Sequence, residues 1–168
     1  METIDGVYSY LDFDSNLNYL TEPLLMITTS FNKRVSLWDN EYTCFIIDKG
    51  FPTDWASIPL LTRPIAGLSP RDKAIFKSAI GHDWLYKNQK ITLYRFDKVK
   101  RLRGAKIKTI TISRREADIF IYENMMCATS RQRGFTYVWL RIWGWKSWND
   151  AKEILTIKET HGVSIQNK

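Results

Sequence analysis

Residues 82–86 read His-Asp-Trp-Leu-Tyr, and residues 113–118 read Ser-Arg-Arg-Glu-Ala-Asp. Each stretch is predicted to lie in a helix. His82 and Tyr86 then lie one turn apart on the same face of the first helix. A carboxylate of the second helix, Asp118, can orient the imidazole of the first. The two stretches therefore predict a pair of packed helices in which His82 hydrogen-bonds Asp118.

The chemistry of this pair is that of a minimal hydrolytic site. His82 is one of only two histidines, and an imidazole oriented by a carboxylate is suited to acid–base work near neutral pH. Tyr122, one turn after Asp118, can join Tyr86 in the same network. The alternative is structural, a buried histidine satisfied by a neighbouring carboxylate.

Gly81 directly precedes His82 within the predicted first helix. A glycine in mid-helix costs about 1 kcal/mol of stability relative to alanine. Its presence therefore indicates that another element of the fold approaches the helix closely at this position.

Two carboxylates are candidate metal ligands. Asp83 follows His82 directly, and Asp54 lies in a proline-bounded loop whose backbone carbonyls can converge on a hard cation. The chain has too few Cys and His for a usual zinc cage, so we expect any bound metal to be a hard cation such as Ca²⁺. The alternative for Asp54 is a turn residue that accepts a hydrogen bond from a backbone N–H two residues on.

The remaining sequence predicts an α+β fold. Strand-like apolar runs at 24–29, 34–38 and 42–47, separated by turn residues, predict a small antiparallel β meander in the N-terminal half. Ser113 and Glu116 have the spacing of a capping box. Helical periodicity then predicts a bundle of about three helices, at 70–88, 113–129 and 135–148.

A strongly basic segment of the sequence lies between the first two predicted helices. Residues 87–115 hold eleven Lys or Arg and one acid, a net charge of +10 against +7 for the whole chain. Alternation at 106–112 predicts a basic β-hairpin that closes around Arg103 and Gly104 and protrudes from the core. We expect it to contact a phosphate-rich polymer, an anionic membrane or an acidic subunit; the alternative is a solubilising loop. The candidate contact residues are Lys98, Lys100, Arg101 and Arg103.

The tryptophan-rich stretch 139–148 is a second candidate surface. Its rings cannot all face one core. We expect Trp139 and Trp143 to be buried, and Trp145 and Trp148 to be candidates for docking on a protein partner or on lipid headgroups.

The composition is that of one globular domain. At 168 residues and 44% hydrophobic content, the chain can bury a single core. Cys44 and Cys127 cannot make a disulfide framework, and both are predicted to be reduced core residues. The first residues lack the basic and apolar runs of a signal peptide, so we expect a protein made in a cytoplasm without one.

Several motifs follow one another in a specific order: Phe51-x-Thr53-Asp54-x-Ala56-Ser57-Ile58-Pro59, Gly81-His82-Asp83-x-Leu85-Tyr86, Ser113-Arg114-x-x-x-Asp118 and Trp143-Gly144-Trp145. In this order they resemble a phage and prophage family, the domain-of-unknown-function family 1353, over roughly residues 20–148. Within a single domain 1–168, residues 87–112 are then a basic insertion and 149–168 a C-terminal extension. The resemblance implies a tailed-phage gene product, made in the bacterial host and virion-associated, with other tail proteins as partners.

The His-Asp-x-x-Tyr helix followed by a helix with an aspartate is also similar to secreted phospholipase A2, especially its small bacterial and fungal forms. This resemblance implies that His82 is the general base, that Asp83 binds calcium with carbonyls of an upstream loop, and that Tyr86 and Asp118 hold the histidine. The chain departs from that family in lacking the disulfides that clamp its two helices.

Two functions are therefore expected. One is a virion or tail-associated protein with a metal-assisted hydrolase site directed at the cell envelope, at a phospholipid ester or a related bond. The alternative is a non-catalytic structural or accessory tail protein in which the histidine network only locks two helices. No recognised nucleic-acid motif accompanies the basic cluster, which argues against sequence-specific nucleic-acid binding.

Overall fold

A computed structural model describes residues 23–38, 40–52, 73–97, 102–125 and 129–161. Within these ranges the chain forms four strands, four α-helices and a short 3-10 helix, Asn32–Val35. The strands are β1 (Leu24–Thr28), β2 (Thr43–Ile47), β3 (Lys90–Asp97) and β4 (Leu102–Thr111). The helices are α1 (Lys73–Asn88), α2 (Arg114–Asn124), α3 (Ser130–Trp143) and α4 (Trp145–His161).

One antiparallel sheet, in the order β1-β2-β3-β4, organises these elements. β1 and β2 pair along their whole length, with Met26 opposite Phe45. β2 pairs with β3 over a short stretch, and β3 pairs with β4 over a long one in which Ile91 lies opposite Ile110. The α+β class predicted from the sequence is confirmed.

A phenylalanine cluster fastens α2 to the sheet. The Phe120 ring of α2 lies 5.6 Å from the Phe45 ring in an edge-on arrangement and stacks 6.1 Å from the Phe31 ring. All three side chains are buried. Burial of each such ring contributes roughly 1.5–3 kcal/mol, so this cluster holds Asp118, two residues before Phe120, at a fixed place above the sheet.

α1 passes very close to this cluster at Gly81. A Cβ atom at that position would lie 2.7 Å from Cε1 of Phe120 and 2.9 Å from the terminal methyl of Met26. Carbon atoms in contact prefer about 3.5–4.0 Å, so a side chain would have to push α1 away. The close approach expected at Gly81 is therefore confirmed, and it brings His82 next to α2.

The capping box predicted for the second helix is present. The Ser113 hydroxyl accepts a hydrogen bond from the Glu116 N–H, and the Glu116 carboxylate accepts one from the Ser113 N–H. These bonds satisfy two N–H groups that the helix leaves unpaired. Cys44 is a buried free cysteine, as predicted, and burial raises the pKa of its thiol to about 12. Cys127 lies outside the described residues.

The strand predicted at 34–38 is wrong. The chain there forms the 3-10 helix and a compact turn in which Ser36 has a φ of 58°. The buried Asn32 side chain donates hydrogen bonds to the carbonyls of Trp38 and Glu41. An asparagine that bonds nearby backbone in this way favours a turn over an extended strand.

A basic β-hairpin does lie between α1 and α2, as predicted, because β3 and β4 pair with each other. Its protrusion is wrong, because these two strands supply half of the four-stranded sheet. Cys44 of β2 lies opposite Tyr94 of β3. The strands have one buried side, which includes Ile91, Leu93 and Ile110. Charges lie on the other positions, so the segment is amphipathic and not an appendage.

The predicted turn at Arg103 and Gly104 falls inside β4 instead. Arg103 lies opposite Phe96, and the pairing is irregular between Tyr94 and Phe96. A Cβ at Gly104 would lie 2.9 Å from the Arg95 carbonyl oxygen. This glycine therefore permits a close approach of two strands at a bulge, a common use of glycine within strands.

The number and bounds of the helices need correction as well. The predicted helices 113–129 and 135–148 are Arg114–Asn124 and Ser130–Trp143, and Trp145–His161 is a fourth helix in the described part of the chain. α3 begins early because Thr129 and Gln132 form a second capping box. Gly134 lies inside this helix.

Candidate active site

The site is built around Asp118, a carboxylate that is 0% exposed. Its Oδ1 atom accepts a hydrogen bond of 2.6 Å from the Tyr86 hydroxyl and lies 3.3 Å from Nε2 of His82. Its Oδ2 atom accepts a hydrogen bond of 2.8 Å from Nη1 of Arg141. The four side chains come from α1, α2 and α3, so Asp118 joins three helices at one point.

Local sequence places each partner. His82 and Tyr86 share a face of α1 at one-turn spacing, and their rings lie 4.2 Å apart. The Trp148 ring packs edge-on against Tyr86 at 5.1 Å. A Cβ at Gly144 would lie 2.5 Å from the Tyr86 hydroxyl, so the glycine between α3 and α4 leaves room for that group. The tyrosine is thereby held against Asp118.

The electrostatic setting keeps Asp118 ionised. Burial alone would raise the pKa of its carboxyl group, but hydrogen bonds from His82, Tyr86 and Arg141 outweigh burial and lower the pKa. The same contacts act on the partners. Burial, and then the bond to Asp118, raise the pKa of Tyr86, while the bond to Asp118 raises the pKa of Arg141. Tyr86 is therefore a neutral donor and Arg141 a permanent cation.

The imidazole of His82 lies between two carboxylates. Nε2 faces Asp118, and Nδ1 lies 3.7 Å from Oδ1 of Asp83. Burial lowers the pKa of His82, but hydrogen bonding to Asp118 and Asp83 outweighs burial, so the pKa is raised above its ordinary value of 6.5. The His82 side chain is 6% exposed and that of Asp83 is 23% exposed, so Asp83 marks the open side of the ring.

Four of the predicted site residues therefore come together: His82, Asp83, Tyr86 and Asp118. The predicted contact between His82 and Asp118 is confirmed, with Tyr86 as the tyrosine of the network. Tyr122 is absent from it. Its ring instead contacts the Tyr137 ring at 5.9 Å.

Arg141 is the member that sequence reasoning missed. It lies on α3, 23 residues after Asp118, and no helical spacing relates the two. The only available signal was an arginine within a tryptophan-rich helix. Its backbone carbonyl also accepts a hydrogen bond of 3.3 Å from Arg114, which connects α3 to the start of α2.

The predicted partner-binding residues are described only in part. Lys98, Lys100 and Arg101 lie outside the described residues, and the Arg103 guanidinium lies over the Tyr94 ring at 4.3 Å. Trp145 is 56% exposed, whereas Trp148 packs into the core cluster beside Tyr86. Trp143, expected to be buried, is 60% exposed, so that expectation is wrong.

The predicted calcium ligands are placed only in part, since Asp54 lies outside the described residues. No three His, Cys, Asp or Glu side chains in the described ranges group together as a metal site. Calcium takes about six to eight oxygen ligands, and Asp83 alone does not supply them. The described residues thus do not make a calcium site by themselves. In the same ranges, no helix combines the length and apolar character needed to span a bilayer.

Comparison with known proteins gives one family. Neither the curated proteins nor the solved structures gave a match. The family described as "Protein of unknown function (DUF1353)" matches residues 31–142. That segment is more than half of the chain and includes all four members of the Asp118 network. The chain therefore belongs to the DUF1353 family.

Proposed function

We propose that the protein is a hydrolase of the cell envelope in which His82 is the general base. The observation that supports this most is the orientation of the imidazole. Its Nε2 atom faces the buried Asp118, and its Nδ1 atom faces the partly exposed Asp83. A general base needs one nitrogen held by an orienting carboxylate and a second nitrogen that takes the proton. In this proposal Asp118 holds Nε2, and Nδ1, on the side of the partly exposed Asp83, takes the proton.

In the proposed step His82 is neutral with its proton on Nε2, and this N–H donates a hydrogen bond to Oδ1 of Asp118. The lone pair on Nδ1 takes a proton from a water molecule as the water oxygen attacks the carbonyl carbon of an ester. The imidazolium that forms is stabilised by Asp118, and it returns the proton to the leaving alcohol as the carbon–oxygen bond breaks. Tyr86 and Arg141 are positioning residues, because they fix the carboxylate that orients the base.

Two sequence resemblances support the proposed substrate class and the proposed location of the protein. The His-Asp-x-x-Tyr helix with Asp118 is similar to phospholipase A2, so we propose a phospholipid ester or a related envelope bond. The motif order resembles phage and prophage sequences, so we propose a tailed-phage particle as the location and other tail proteins as partners. A search for the protein in purified particles by mass spectrometry tests the location separately from the chemistry.

A second candidate is a non-catalytic tail protein in which the network only locks helices. The burial of His82, which is 5% exposed, favours it. So does its raised pKa, because an imidazolium between Asp118 and Asp83 pairs with carboxylates and does not accept protons. In this candidate, His82 contributes stability and no rate.

Fatty-acid release from phospholipid vesicles distinguishes the two. We expect hydrolysis by the wild-type protein and a loss of about a hundred- to ten-thousand-fold in His82→Gln. His161→Gln is the matched control, since it removes the only other histidine. Far-UV circular dichroism checks that each variant is folded. A folded wild type without activity on phospholipids, or a His82→Gln variant as active as wild type, contradicts the hydrolase proposal.

A further inference from the structure

α3 has an unusual distribution of polar and apolar residues. The side that packs on α2 is polar. Arg141 reaches Asp118 there and the Tyr137 ring contacts Tyr122, and Thr136 is the buried residue of this helix in the described part of the chain. In water, a helix normally turns its apolar side inward and its polar side outward. Here the inward side of α3 already holds the polar groups.

The outward side of α3 is apolar. Val138 and Ile142 lie one turn apart and are each 55% exposed. Beside them three aromatic rings are stacked along the helix, with 6.5 Å between Phe135 and Trp139 and 5.5 Å between Trp139 and Trp143. We call these five residues the outer α3 face. Because it is the side that would meet water, its composition indicates a different environment.

The charge of the residues in and around α3 indicates which environment the outer α3 face meets. Residues 124–149 contain four Lys or Arg and no Asp or Glu. Two of these cations, Arg131 and Lys146, are exposed near the two ends of α3. Exposed Trp145 begins α4, two residues after the end of α3. Aliphatic side chains between tryptophans, with cations that reach outward, are typical of helices that lie in the headgroup region of anionic membranes.

We infer that the outer α3 face docks on an anionic lipid bilayer. The helix has fourteen residues. Its length is therefore about 21 Å, which is shorter than the roughly 30 Å of a hydrocarbon core, so it lies flat in the interface. This inference goes beyond the proposed hydrolase, because docking does not require His82. If the hydrolase proposal also holds, docking brings the enzyme to its substrate.

The test is sedimentation of the full chain with phosphatidylglycerol vesicles and with phosphatidylcholine vesicles. We expect wild type to bind phosphatidylglycerol vesicles, less so at high salt, and to bind phosphatidylcholine vesicles weakly. Val138→Ser with Ile142→Ser removes two half-exposed aliphatic side chains, so binding should weaken about tenfold or more. Trp38→Ser is the control, since Trp38 is 81% exposed and lies outside α3. It should bind like wild type.

Each other outcome overturns the inference. The double variant could bind phosphatidylglycerol vesicles as tightly as wild type, or Trp38→Ser could weaken binding equally. Wild type could bind neither vesicle and instead form a dimer in sedimentation velocity that the double variant loses, which would assign the face to a second copy of the chain. His82→Gln should bind vesicles like wild type, so a failure of catalysis and a failure of docking are distinguishable.

Discussion

Replacing Asp118 with asparagine should be strongly destabilising. The carboxylate accepts hydrogen bonds from Tyr86 and Arg141 and faces His82. Hydrogen bonds to a charged group contribute about 1.5–3 kcal/mol each, and removing one partner of a buried ion pair costs about 3–5 kcal/mol. The Arg141 side chain is 34% exposed and keeps part of its hydration, so the lower end applies. We expect a loss of about 3 kcal/mol in the free energy of unfolding, or about 6–12 °C in Tm.

Urea unfolding followed by far-UV circular dichroism and by tryptophan fluorescence measures this loss. Asp150→Asn is the matched control, because Asp150 is exposed on α4. Surface substitutions usually change stability by less than about 0.5 kcal/mol. If Asp118→Asn loses less than about 1 kcal/mol relative to that control, Asp118 does not hold the three helices together, and the reasoning from its hydrogen bonds is refuted.

Three further predictions concern the packing at Gly81, the titration of Asp118 and the calcium ion that the sequence predicts at Asp83. Gly81→Ala should lower Tm, because overpacking against Phe120 costs about 1–3 kcal/mol. In Gly134→Ala the added methyl group meets nothing within 4 Å, so this variant should be more stable by about 0.5–1 kcal/mol. Equal effects of the two substitutions on Tm would contradict the close packing at Gly81. The pKa of Asp118 is lowered in the folded state, so its contribution is present above the unfolded pKa of about 3.9 and is lost as pH falls. Urea midpoints of wild type and Asp118→Asn should therefore converge below about pH 4, and a constant difference would refute this. Millimolar calcium should raise Tm of wild type but not of Asp83→Asn; no rise in wild type removes the metal expectation.

The contact between His82 and Asp118 was predictable because it depends on local rules. A four-residue spacing fixes the face of a helix, and the Ser113 capping box fixes where α2 starts. Gly81 added a second signal, since glycine in mid-helix marks close packing. Arg141 had no such signal, because its place beside Asp118 depends on how α3 packs across α2, a relation that no residue spacing encodes.

The errors in the predicted fold have different physical origins. The net charge of residues 87–112 predicted a hairpin that protrudes from the core, but Ile91, Leu93 and Ile110 of that hairpin form a buried sheet surface. A strand with one side in water can carry many charged residues. A high net charge therefore does not distinguish a protruding hairpin from strands of the main sheet. Trp143 was expected in the core because it lies on a predicted third helix packed across the other two, but polar residues of α3 occupy the inner side of that helix, and Trp143 is exposed.

The central claim is that Asp118 holds Nε2 of His82 and leaves Nδ1 as the base. Long-range proton–nitrogen NMR spectra measure this directly, and only two histidines are present, so His82→Gln assigns the signals. At a pH above the pKa of His82, we predict the neutral tautomer with its proton on Nε2 and an unprotonated Nδ1. A neutral imidazole with its proton on Nδ1, facing Asp83, contradicts the account, because the nitrogen required to take a proton from water would already carry one.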